Sequence, residues 1–266
     1  MKVLEICADS VESAIAAESG GAQRIELCSA LAVGGLTPSL GLICTVRSRI
    51  NIGIHVLIRP RGGDFLYSDD DFAVMREDIM LAAQHGADGV ALGLLTAEGD
   101  VDVERTRELV ELARPMEVTF HRAIDMARDV EEALEDVIRT GADRVLTSGA
   151  EPTAMQGRHR IREFVLASDG RIGIMAGGGV RADNVQEIAQ TTGVREFHAA
   201  LRRTVPSPVK HQRKKINLGD QGVDDYTYKA ARAADVRTLQ QALDGASGRA
   251  VELPADPAGA GRKNGR

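Results

Sequence analysis

One unit recurs along this chain: helical spacing, a Gly-Ala turn, then a short apolar strand. It appears as "GGAQRIELC" from residue 20, "HGADGVALG" from residue 85 and "TGADRVLTSG" from residue 140. Helical periodicity runs ahead of each, in "SVESAIAAES", "DFAVMREDIMLAAQH" and "DVEEALEDVIRT". The glycine falls where a helix needs a left-handed residue to stop. Extending the pattern predicts strands at about 3–8, 24–29, 53–60, 88–95, 117–122, 144–149, 172–177 and 196–200, with a last helix at about 233–244. Eight strands alternating with helices predict a single α/β domain, a (β/α)8 TIM barrel, over residues 1–244. The competing doubly wound sheet would carry Gly-x-Gly-x-x-Gly after its first strand, where this chain has "CADSVES". Residues 202–222, basic and broken by two prolines, read as a solvated loop. Residues 245–266, rich in Gly, Pro and Ala, read as a disordered tail.

Strand alternation then raises a problem. "LEIC" at 4–7 and "IELC" at 25–28 each put an acid and a thiol on one face, Glu5 with Cys7 and Glu26 with Cys28. The opposite face is apolar. A buried, unpaired carboxylate is unfavourable by several kcal/mol unless it finds a partner or shifts its pKa. In a TIM barrel the functional groups gather at the strand C-termini, and reading those ends in order yields a polar cup. Besides Glu5, Cys7, Glu26 and Cys28 it collects Arg59, Arg61 and Asp64, then His121, Arg122 and Asp125. Thr147, Ser148, the glycines Gly177, Gly178 and Gly179, and His198 complete it. No lysine occurs from residue 3 to residue 209, so a Schiff-base mechanism on a central strand is excluded.

Two chemistries suit these residues. Cys7 and Cys28, on adjacent strands, form a thiol pair suited to a soft metal, or are simply buried small hydrophobes. Glu5 and Glu26 are either structural ion-pair partners of Arg24, Arg59 or Arg122, or a general base beside His121. Arg59 and Arg61 suit an anion, as do the glycines 177–179 ahead of a helix start. Tyr67, Ser68 and Asp69 read as a loop able to fold over the mouth. Cys44, in a helical pattern, reads as core, and His55 reads as structural.

The segments "RIELCSALAVGGLTPS", "IRPRGGDFLYS", "VTFHRAID", "RVLTSG" and "EFHA" resemble those of the CutC family of copper-homeostasis proteins, over roughly residues 1–244. The resemblance implies a TIM barrel, a homo-oligomer (dimer or tetramer), a cytoplasmic location and Cu(I) bound through Cys7 and Cys28. The alternative reading is a barrel enzyme for a small anionic substrate, phosphorylated ones included. It would use acid/base chemistry or a divalent metal, with Glu5, Glu26, His121, Arg59 and Arg61 as its catalytic set. A net charge of −6 argues against nucleic acid or a membrane surface as a partner. Three cysteines, an odd number, argue against a disulfide scaffold and for a reducing compartment.

Overall fold

The computed structural model describes residues 2–213, 215–216 and 224–245. Eight parallel strands close into a barrel in chain order: β1 (Val3–Ala8), β2 (Arg24–Leu27), β3 (Gly53–Leu57), β4 (Gly89–Leu92), β5 (Glu117–Phe120), β6 (Arg144–Thr147), β7 (Gly173–Ala176) and β8 (Glu196–Ala199). Each is shorter than or equal to its predicted range, because pairing stops where the loops leave the barrel. Helices α1 (Val11–Ser19), α2 (Leu40–Arg47), α3 (Asp69–Gln84), α4 (Val103–Ala113), α5 (Val130–Thr140), α6 (Arg158–Ser168), α7 (Val185–Thr192) and α8 (Ala233–Gly245) surround it. The (β/α)8 expectation holds.

The greasy face of each strand packs outward against those helices. Leu4, Ile6, Ile25, Leu27, Ile54, Val56, Val90, Leu92, Val118, Phe120, Val145 and Phe197 are all buried in one continuous cluster with helical residues. Burying such side chains is worth about 1.5–3 kcal/mol each. The alternate positions are thereby turned inward, toward the barrel axis.

The recurring glycines stop helices, with one variation. Gly141 follows α5 at φ 82° and satisfies the left-handed requirement directly. In the first repeat the left-handed residue is Gly21, at φ 96°; Gly20 keeps a right-handed conformation. What demands glycine at position 20 is contact, since a Cβ there would lie 2.4 Å from the Cβ of Val236 on α8.

Two expectations are corrected here. Residues 202–222 are not wholly loop: β9 (Arg202–Pro206) pairs antiparallel with β10 (Thr227–Ala231) into a small ribbon. The prolines masked the strand pattern, and Pro206 sits at the end of β9, where it interrupts no ladder. Cys44 is exposed rather than core, because α2 buries Ile43 and Val46 instead. The expected disordered tail lies outside the described residues, apart from Gly245 at the end of α8.

Candidate functional site

Register decides which side chains meet. β1 pairs with β2 so that Cys7 faces Glu26 and Glu5 faces Arg24. Closure of the ring pairs β1 with β8 so that Glu5 faces His198. His198 Nδ1 donates to Glu5 Oε1 at 2.7 Å, and Arg24 Nε donates to Glu5 Oε2 at 2.5 Å. The two thiols lie side by side, Cys7 Sγ to Cys28 Sγ at 3.5 Å, both buried and free. Glu26 Oε2 is 3.9 Å from His198 Nε2. Ligand atoms of Cys7, Glu26 and His198 all lie within 4.8 Å of one another.

These groups set each other's charge. Burial alone would push the Glu5 carboxyl up, but the Arg24 guanidinium and the His198 hydrogen bond hold it well below the usual carboxylate range. Burial pushes Glu26 up; the charge on His198 opposes this, but the nearby Glu5 charge reinforces it. Burial opposes a charge on His198, yet Glu26, then Cys7 and Glu5, raise its imidazole well above the ordinary value. The contact with Cys28, together with burial, raises the Cys7 thiol well above its usual range. These influences favour a protonated imidazole between Glu5 and Glu26 and a protonated Cys7 thiol beside it.

Below this level the barrel interior is ionic. Arg24 also binds Glu196 at 2.7 Å, and Arg144 binds Glu196 at 2.6 Å, Glu117 at 2.9 Å and Thr119 at 3.1 Å. His55 lies 3.6 Å from Glu117 and is buried, as its structural reading requires. TIM-barrel interiors are usually layered Val, Ile and Leu. Here a column of paired charges fills that space and answers for Glu5: it is an ion-pair partner of Arg24. Among the described residues Glu26 forms no salt bridge with a guanidinium; its ion-pair neighbour is His198, at 3.9 Å.

The opposite wall of the cup carries His121. It is buried, its Nδ1 accepts from the Ala123 amide, and its Nε2 has no hydrogen-bond partner. Burial, then the charge of Arg59, lower its imidazole to about 3. A cavity of about 240 Å³ separates it from Cys7, Glu26 and His198, with Arg122, Arg181 and the Gly178–Gly179 backbone on its rim. Gly177 lets β7 pass beneath His198: a Cβ there would lie 2.4 Å from Leu146 Cδ1 and 3.3 Å from His198 Cβ.

The two expected anion-clamp arginines are placed differently. Arg59 lines the cavity, but its NH1 donates to the carbonyls of Val33 and Gly35 and its NH2 to that of Gly63. It is spent on holding loops. Arg61 stands outside the cavity lining, paired with Asp64 and Asp71 and stacked over Tyr67. Tyr67 is itself buried, while Ser68 and Asp71 form the capping box of α3, so these residues anchor a helix rather than form a lid. Thr147 and Ser148 bind Asp125, a local knot beside the cup.

His198, outside the catalytic set expected from sequence, and Arg181, outside the expected cup, both line the cavity. The inward alternation of "EFHA" contained the signal for His198; its meaning depends on β8 lying against β1.

The CutC family model matches residues 2–203. A CutC family protein of Chromobacterium violaceum is 50% identical over 243 residues, covering 91% of this chain and 98% of the relative. The copper homeostasis protein cutC homolog of Homo sapiens is 45% identical over 238 residues, covering 89% and 87%. A solved CutC from Streptococcus agalactiae superposes with a TM-score of 0.70 at 34% identity, covering 74% of this chain and 98% of that one. The chain belongs to the CutC family.

Proposed function

We propose that this protein serves copper homeostasis by binding Cu(I) between the sulfurs of Cys7 and Cys28. The observation that carries the reading is the buried thiol pair, 3.5 Å apart and not joined as a disulfide. Thiolate is the donor that selects Cu(I) among the available ligand types. The donor set fits a soft monocation, because two thiolates around it make an anion and the His198 imidazolium stands beside Cys7 as countercharge. Burial excludes water and oxidants from the bound ion. Copper homeostasis also appears in the name of the human relative. The reading places the protein in the cytoplasm, where thiols stay reduced, and as a homo-oligomer, which light scattering tests directly.

The experiment is a Cu(I) titration of reduced protein against a competing chelator. Either Cys7→Ser or Cys28→Ser is expected to weaken binding by roughly 100-fold or more, since each removes half of the sulfur donors. Unchanged affinity in both variants rejects the reading.

A second reading, an enzyme for a small anionic substrate, is favoured by the cavity itself. His121 Nε2 is a buried polar atom without a partner, and Arg122 and Arg181 stand on the rim. In that reading Glu26 is the base, Glu5 orients His198, and Arg181 takes the anion-holding role expected of Arg59 and Arg61, with Arg122 beside it held by Asp125 and Ser148. The Gly178–Gly179 backbone adds polar groups on the same rim.

A further inference from the structure

The structure assigns to this barrel a second metal site, distinct in its donors from the thiol pair. We propose that Cys7, Glu26 and His198 form a three-ligand site for a zinc-class divalent cation whose open position faces the cavity. One sulfur, one carboxylate and one imidazole are borderline donors of the kind zinc accepts, and catalytic zinc sites characteristically use three protein ligands and leave one position open.

Three observations carry this. First, the donor atoms already converge, all lying within 4.8 Å of one another. A tetrahedral ion with bonds of about 2.0–2.3 Å needs its donors about 3.3–3.8 Å apart, so closing inward by less than about 1 Å suffices. Second, the imidazole is oriented as a ligand. Its Nδ1–H is tied to Glu5 Oε1 at 2.7 Å, and this leaves Nε2 facing Glu26 at 3.9 Å. A carboxylate bound to the far nitrogen is the arrangement that fixes tautomer and ring angle in histidine–metal sites. Glu5 is fixed in turn by Arg24 at 2.5 Å. Third, the open side is a cavity of about 240 Å³ that Cys7, Glu26 and His198 line together, with the His121 ring among its other lining groups. Cys28 does not line this cavity, so the two sites share only Cys7.

The shared cysteine makes the two sites mutually exclusive and their tests separable. Zn2+ is titrated into reduced, chelator-stripped full-length protein against a chromophoric competitor, with circular dichroism on each variant. Wild type is expected to take up a single tight equivalent. Glu26→Gln and His198→Gln are each expected to weaken it by roughly 100-fold, whereas Cys28→Ser stays within about threefold of wild type. Co2+ in place of Zn2+ is expected to show four-coordinate ligand-field bands with a thiolate charge-transfer band that Cys7→Ser abolishes. If His198→Gln does not fold, the isosteric Glu26→Gln decides alone. The proposal is overturned if wild type takes up no Zn2+. It is equally overturned if folded Glu26→Gln binds like wild type, or if Cys28→Ser loses as much as Cys7→Ser. Failure of the Cu(I) reading shows instead as Cys7→Ser and Cys28→Ser both leaving Cu(I) affinity unchanged.

Discussion

The barrel interior divides into two polar halves built on opposite terms. In the lower half the charges pair at 2.5–2.9 Å, Arg24 between Glu5 and Glu196 and Arg144 between Glu196 and Glu117, while His55 Nδ1 has no hydrogen-bond partner. In the upper half the groups are left short of partners. Glu26 meets the Cys7 thiol, and His198 at 3.9 Å, but forms no guanidinium salt bridge among the described residues, His121 Nε2 has no partner, and two thiols lie side by side. Buried polar groups are normally satisfied, and exceptions gather where a ligand completes them. The lower half is a scaffold; the upper half is a receptacle.

The largest test of that division is to remove a partner from the scaffold. Arg24→Met leaves the buried Glu5 with only His198 and the half-buried Glu196 with only Arg144 as partners. Breaking a buried pair in this way is unfavourable by about 3–5 kcal/mol. Urea unfolding of the variant is expected to lose that much, with a similar m-value. A loss under about 1 kcal/mol would mean that the column is solvated and contributes little.

Each half also holds one buried neutral histidine, which gives a test by pH. Burial lowers His55 to about 4 in the lower half and His121 to about 3 in the upper half. Both folded values lie below the unfolded value near 6.5. Below about pH 6.5 the unfolded chain therefore takes up protons that the native chain refuses. The stability is full above that pH and is lost as the pH falls toward 4 for His55 and toward 3 for His121. At pH 5.5 the loss is about 1.4 kcal/mol for each imidazole relative to pH 8. Unfolding curves across that range are expected to flatten by this amount in His121→Gln and again in His55→Gln. An unchanged slope in His121→Gln would place that ring in water and remove the unsatisfied wall from the comparison.

Much of this was legible in the sequence, and the gaps have definite physical origins. Period-two alternation placed Glu5, Cys7, Glu26 and Cys28 on the inner face without any knowledge of three-dimensional contacts, and the Gly turns located the strands. His198 was underweighted because its role exists only through ring closure, which brings β8 against β1 across 193 residues of sequence. The arginines failed differently. Arg59 and Arg61 share a turn, but a guanidinium on a long stem chooses its partners in three dimensions, and nearby carbonyls and Asp64 captured them. Cys44 was misplaced by a rotation around one helix: Ile43 and Val46 define the buried face of α2, and Cys44 falls off it.

The smallest expected effect is the most informative about the receptacle. Burial, the largest influence on Glu26, raises its pKa, so its ionised form is disfavoured by the fold. By the same linkage a group whose folded pKa is raised favours the fold at low pH and loses that advantage as the pH rises. Glu26→Gln keeps the shape and removes the charge, although it also takes a counterion from His198. The net change at pH 7.5 is expected to be a gain of no more than about 1 kcal/mol, opposite in sign to Arg24→Met. A variant that is more stable yet unable to take up Zn2+ would show that this carboxylate is kept for a ligand rather than for the fold. A loss of several kcal/mol would place Glu26 with the scaffold and erase the boundary between the two halves.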